Sequence, residues 1–147
     1  SLTGELVLPD GITEIGKAAF YGCSSLTGTL KLPTSLTTIG EGAFSHCSGF
    51  SGELTIPAGI ETIPLDAFAD CYQLSGTLTL SEGVKVIGQN AFYGCSQIKT
   101  INLPSTIERI ESIAFSQCSG VQSILCHRSL DSISRRNLPY GTIEYVN

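Results

Sequence analysis

The sequence predicts a solenoid of α/β repeats, with a short parallel strand on one side of each unit. On the other side it predicts a short helical turn or an extended segment. Two columns of residues carry that expectation. Ala-Phe pairs recur at Ala19-Phe20, Ala43-Phe44, Ala67-Phe68, Ala91-Phe92 and Ala114-Phe115, so that the phenylalanines are 24, 24, 24 and 23 residues apart. Cys23, Cys47, Cys71, Cys95 and Cys118 keep the same spacings. A fixed period of this size marks supersecondary units that stack and bury a continuous core between neighbours.

Aligned on the phenylalanines, the chain divides into units near residues 2–25, 26–49, 50–73, 74–97 and 98–120. A degenerate unit and a C-terminal cap fill 121–147. All belong to one domain. Thr29-Leu30-Lys31-Leu32 alternates in and out with period two, which reads as a strand. Its counterparts are Glu5 to Leu8, Glu53 to Ile56, Thr77 to Leu80 and Thr100 to Leu103.

A turn follows each strand. Leu8-Pro9-Asp10-Gly11 places Pro where a type I turn wants a fixed φ and Gly at the closing position. Pro33, Pro57 and Pro104 repeat the device, whereas Ser81 and His127 replace it. Ile12-Thr13-Glu14-Ile15 then suits a second extended segment or a tight turn. Gly16, Gly40 and Gly88 come next, but Pro64 and Glu111 hold the equivalent positions. Proline demands negative φ, so these glycines do not serve a left-handed conformation. Lys17 to Gly22 reads as about one turn of helix, held by Phe20 packing inward.

Units one to four carry an extra glycine at the strand entrance, at Gly4, Gly28, Gly52 and Gly76, which unit five lacks. These read as bulge glycines. At the far end Leu138 takes the phenylalanine position. Thr142-Ile143-Glu144-Tyr145-Val146 offers a closing strand, with Arg135, Arg136, Asn137 and Asn147 as a polar finish.

Composition narrows the function classes. Residues 1–82 hold nine acids against Lys17 and Lys31, for −7; residues 83–147 hold four acids against six bases, for +2. An acidic body argues against nucleic acid as a partner. The basic cluster His127, Arg128, Arg135 and Arg136 reads as a solvated cap. No apolar run approaches the roughly 18 residues that span a bilayer, so no membrane insertion is expected in this segment. Ser1 falls inside the repeat pattern, which reads as a piece of a longer protein or a processed form. Upstream repeats or a capping segment are then expected. With nothing to cap them, Leu6, Leu8, Ile12, Ile15 and Phe20 would form an open apolar end, a possible route to self-association.

The pattern L-x-x-L-x-L-P-x-x-L-x-x-I-G-x-x-A-F-x-x-C, held in register through five copies, resembles the leucine-rich repeats of BspA-like surface proteins of anaerobic bacteria and some protists. The resemblance covers about residues 2–134. It implies a right-handed solenoid with its main parallel sheet along one side. It also implies an extracellular or cell-surface location, with adhesion or host-protein binding. No catalytic residue and no cofactor come with it. Ser81 for Pro, Pro64 and Glu111 for Gly, and the extra glycine depart from the pattern and bear on local curvature.

Six cysteines raise the question of disulfides. Stacked members of one column would lie about 4.8 Å apart, whereas a disulfide needs Cβ atoms about 3.8 Å apart and suitably directed. A ladder of small buried thiols is the reading preferred here, with Cys126 buried at the strand position of Leu103. Metal binding has only Cys126-His127 as an adjacent pair, and alternation sends those two to opposite faces. A nucleophilic triad would have to use His46 or His127, both expected in exposed turns, and no nucleophile elbow is present. The chain therefore reads as no enzyme.

The outward strand positions are the place to look for function. Val7, Lys31, Thr55, Thr79 and Asn102 form one exposed column, and Glu5, Thr29, Glu53, Thr77 and Thr100 another. Together they are the candidate face for a protein partner, Thr-rich and without an aromatic cluster. Tyr21, Tyr72 and Tyr93 lie elsewhere and could equally be contacts or ordinary half-buried residues. The leading function is a surface interaction module; the alternative is a spacer within a larger surface protein.

Overall fold

Each unit lays down a strand, a turn, a second short strand and a run of tight turns, and the next unit retraces that path beside it. The computed structural model describes residues 2–130 and 137–146. Arg135, Arg136 and Asn147, named above for the polar finish, lie outside the described residues.

The main side carries β1 (Gly4–Glu5), β3 (Leu26–Thr27), β5 (Gly52–Ile56), β7 (Leu74–Leu80), β9 (Gln97–Asn102), β11 (Ser123–His127) and β12 (Thr142–Val146). The last five form one sheet in the order β5-β7-β9-β11-β12, and every neighbouring pair is parallel. The second side carries β2 (Glu14–Ile15), β4 (Thr38–Ile39), β6 (Thr62–Ile63), β8 (Val86–Ile87) and β10 (Arg109–Ile110). The piece after the proline turn is thus an extended segment. The result is a parallel β-solenoid.

Its core runs between the two ladders. Leu54, Leu78, Ile101 and Ile124 point inward from the strands, and Phe44, Phe68 and Phe92 from the turns, all fully buried. The five column phenylalanines form one stack, with ring centroids 5.3–5.5 Å apart and planes within 9° of parallel. Uniform stacking follows from uniform spacing, because each ring leaves the backbone at the same point of its coil.

The expected turn of helix is absent. Among the described residues helical geometry is confined to 3-10 turns, at Arg128–Leu130 and at Asn137. In the second coil Ala43, Ser45 and Cys47 donate to carbonyls three residues back, on Gly40, Gly42 and Phe44. The intervening Gly42, Phe44 and His46 donate instead to Leu65, Ala67 and Ala69 of the next coil. Two residues per coil have positive φ and aim those donors outward: Ala18 and Gly22, Gly42 and His46, Asp66 and Asp70, Asn90 and Gly94, Ile113 and Gln117. A left-handed residue every four positions breaks a helix and yields linked β-turns. Apolar spacing of three and four fits both structures, so periodicity alone could not separate them.

Two further expectations shift. The proline turn closes one residue later than the strand ends imply: Leu36, Ile60 and Ile107 donate to Pro33, Pro57 and Pro104, which puts Pro at the first position. The strand expected at Glu5 to Leu8 shortens to Gly4–Glu5, and the one expected at Thr29 to Leu32 does not form, the pairing segment being Leu26–Thr27 instead. Ser81 donates to Ile56 at 3.1 Å. Pro33, Pro57 and Pro104 have no N–H with which to repeat that bond.

Two of the four entrance glycines stand at bulges: pairing slips between Gly52 and Leu54 and again between Gly76 and Thr77, where Gly76 has φ +65°. Gly40 has no positive φ, and the reason for glycine there is close approach. A Cβ at Gly40 would overlap the backbone of Lys17 in the coil before.

One junction differs from the rest. Gly40, Gly88 and Glu111 donate to Ile15, Ile63 and Ile87 of the preceding coil. Pro64 occupies that place in the third coil and cannot donate. There β4 and β6 belong to separate sheets, and on the main side only the bridge Gly28–Phe50 joins the second coil to the third among the described residues. The turn-face bonds and the phenylalanine stack continue across this seam.

Candidate functional site

In coils three to five, members of the outward columns pair with one another across the main sheet. Thr55 pairs with Thr79 and Thr79 with Asn102, while Thr77 pairs with Thr100. Glu5, Val7, Thr29, Lys31, Glu53 and Thr55 are exposed or nearly so, Val7 to 81%. Thr77, Thr79, Thr100 and Asn102 are half-buried. Val7, Thr29 and Lys31 lie beyond the short strands of the first two coils, so the ten residues do not share one hydrogen-bonded surface.

Several of them are already engaged. Glu53 accepts a hydrogen bond from the Thr77 amide at 2.8 Å, which satisfies a donor freed by the bulge. The Glu5 carboxylate occupies the equivalent place over Gly28. The Thr100 hydroxyl meets that of Ser123 at 3.1 Å. Glu53 thus supports the backbone as well as lining the face.

The cysteine column forms no disulfide; all six cysteines are free thiols, and all but Cys23 are buried. Cys47, Cys71, Cys95 and Cys118 each donate to the carbonyl of the phenylalanine one coil back, on Phe20, Phe44, Phe68 and Phe92, at 2.9–3.3 Å. Burial pushes the thiol of Cys47 up to about 11 and that of Cys118 to about 12. Cys71 and Cys95 are pushed up by the same cause, reinforced by the neighbouring thiols. A thiol held protonated is a poor nucleophile and a poor metal ligand. The ladder is structural.

Neither histidine is placed as a base. His127 is the half-buried last residue of β11 rather than an exposed turn residue, and its Nδ1 accepts from the Ser129 amide at 3.1 Å. His46 does lie in an exposed turn, with Nδ1 3.4 Å from Asp70 Oδ2. A cleft between the fifth coil and β12 is lined by Phe115, Cys118, Leu138 and Tyr145 among others. No acid, lysine, arginine or histidine lines it among the described residues.

The turn face holds a grouping that the sequence reading left undecided. Tyr21 meets His46 edge-on, with ring centroids 5.4 Å apart. His46 meets Asp70, and the charge of Asp70 raises the pKa of Tyr72, with smaller contributions from desolvation and hydrogen bonding to Asp70. The available signal was His46 and Asp70 standing in the column otherwise held by Gly22, Gly94 and Gln117.

The sequence matches the BspA type leucine rich repeat region in six copies, over residues 2–122 and 50–147. The chain belongs to that family. It is similar to a leucine-rich repeat protein of T. pallidum, 28% identical with a TM-score of 0.72, covering 95% of this chain and 71% of that one. It also shares its fold with a leucine-rich repeat protein of Bacteroides ovatus, at 22% identity and a TM-score of 0.65. There the match covers 99% of this chain but 43% of the other, so the chain spans less than half of that protein's length. No curated protein matches it. Among the described residues no helix is long and apolar enough to cross a membrane.

Proposed function

We propose that this BspA-type array is a non-enzymatic interaction module of a secreted or cell-surface protein, which binds a host or matrix protein through its main sheet. The register of Thr55, Thr79 and Asn102 across three consecutive strands supports this most directly, because it makes one extended surface from separate repeats. Family membership supports it too, since leucine-rich repeats commonly mediate protein interactions. A variant with Lys31→Glu, Thr55→Arg and Thr79→Arg should keep its melting temperature and lose binding to a matrix-protein panel. Undiminished binding would move the site off this face.

A spacer role is the second reading. The half-burial of Thr77, Thr79, Thr100 and Asn102 favours it, as does their lack of an aromatic anchor. Self-association is a third reading, through Leu6, Leu8, Ile12 and Phe20, which are only partly covered. Sedimentation that stays monomeric at high concentration would dismiss it.

A further inference from the structure

The turn face of coils one to three carries Tyr21, His46, Asp70 and Tyr72, from three successive coils. Tyr21 and Tyr72 are 58% and 49% exposed, far more than the buried aromatics of the stack. The Asp70 side chain is 18% exposed and is held from two sides. His46 meets one oxygen at 3.4 Å. The other rests against Gly94, where an added Cβ would come within 2.6 Å of it. A carboxylate so placed is pre-organised, and a rigid group loses less freedom on binding than a mobile one.

The surroundings are acidic. Residues 1–82 have a net charge of −7 with histidine neutral, and Lys17 and Lys31 are their only lysine or arginine residues. Lys17 pairs with Glu41 at 3.5 Å, and Lys31 lies on the sheet side, so neither lysine competes for Asp70. Exposed tyrosine faces attract cations through the ring quadrupole, guanidinium above all. A fixed carboxylate adds a charge-assisted hydrogen bond. We propose that this cluster is a docking site for an arginine side chain on a basic segment of a protein partner. The proposal rests on reading the chain as an interaction module, but it uses a different face from the sheet columns.

The probe is the peptide acetyl-Gly-Arg-Gly-amide, titrated into the protein with tyrosine ring resonances as readout. Its citrulline counterpart, of the same shape without the charge, is the control. The arginine peptide should shift Tyr21 and Tyr72 saturably, with a Kd of about 1–10 mM for so small a ligand. The citrulline peptide should not. Asp70→Asn should weaken binding about tenfold, the scale of one charge-assisted contact. Asn tolerates the left-handed φ of 59° at this position. Should Asp70→Asn disturb the phenylalanine resonances, Tyr72→Leu decides, with the same expected loss. The triple variant at Lys31, Thr55 and Thr79 should bind the peptide normally, so this site can fail while the sheet face succeeds, or the reverse. Equal response to citrulline, shifts spread over Glu5, Glu53 and Glu61, or stronger response to lactose would each overturn the proposal.

Discussion

The thiol of Cys71 donates to the carbonyl of Phe44, one coil earlier, at 3.2 Å. That carbonyl also accepts from the Cys47 amide, so both of its lone pairs are used in a dry interior. The thiols of Cys47, Cys95 and Cys118 repeat the arrangement on Phe20, Phe68 and Phe92, which explains cysteine here rather than alanine.

The first prediction follows from the sign of the thiol shifts. Between the ordinary value of 9.0 and the folded values of about 11 and 12 for Cys47 and Cys118, the folded chain binds more protons than the unfolded. Stability is therefore complete below pH 9 and is lost as pH rises through that window. The slope should reach about 1.4 kcal/mol per pH unit for each buried thiol. Urea midpoints measured from pH 8 to 11 test it, and a flat profile contradicts it. Half-buried Cys23 should be the first to react with a thiol reagent.

Phe68 lies mid-stack, 5.4 Å from both Phe44 and Phe92, and is fully buried. Phe68→Ala should cost about 3–5 kcal/mol. Thr55→Ala, on the exposed face, should cost under about 0.5 kcal/mol. Denaturant unfolding of the two variants measures the contrast, and equal losses would contradict the register.

Pro64 has no N–H to give the carbonyl of Ile39, whereas Gly40, Gly88 and Glu111 give theirs to Ile15, Ile63 and Ile87. Coils one and two should then exchange their amides as one unit, ahead of coils three and four. In Pro64→Gly the new amide should be protected, as that of Gly88 is by Ile63 at 2.7 Å, and exchange in residues 26–40 should slow. Should the new amide of that variant exchange at the free-peptide rate, proline is not the cause.

Ile113 is a β-branched residue at φ 54° and is largely exposed. A left-handed conformation costs such a residue about 1–2 kcal/mol. Asn90 occupies the same column one coil earlier. Ile113→Asn should therefore raise stability by about 1 kcal/mol, and calorimetry that finds a lower melting temperature would refute the strain.

The two columns, Phe20 to Phe115 and Cys23 to Cys118, were legible as a stack from residue spacing alone. A solenoid contacts only its neighbours, so a fixed period becomes a fixed rise and the buried positions follow. The outward register of Thr55, Thr79 and Asn102 came with it, and so did the bulges at Gly52 and Gly76. Three features were decided only in three dimensions. The blocks such as Gly40 to Cys47 fold as β-turns rather than helix, because backbone donors find acceptors on the next coil, and bonds between coils leave no mark on apolar periodicity. The seam at Pro64 is visible only in three dimensions, because the missing N–H of Pro64 and the amides of Glu61 and Thr62 all fall where other coils bond to the coil before. His46 and Asp70 are 24 residues apart, one full coil, and become partners only because stacking brings the same point of neighbouring coils together.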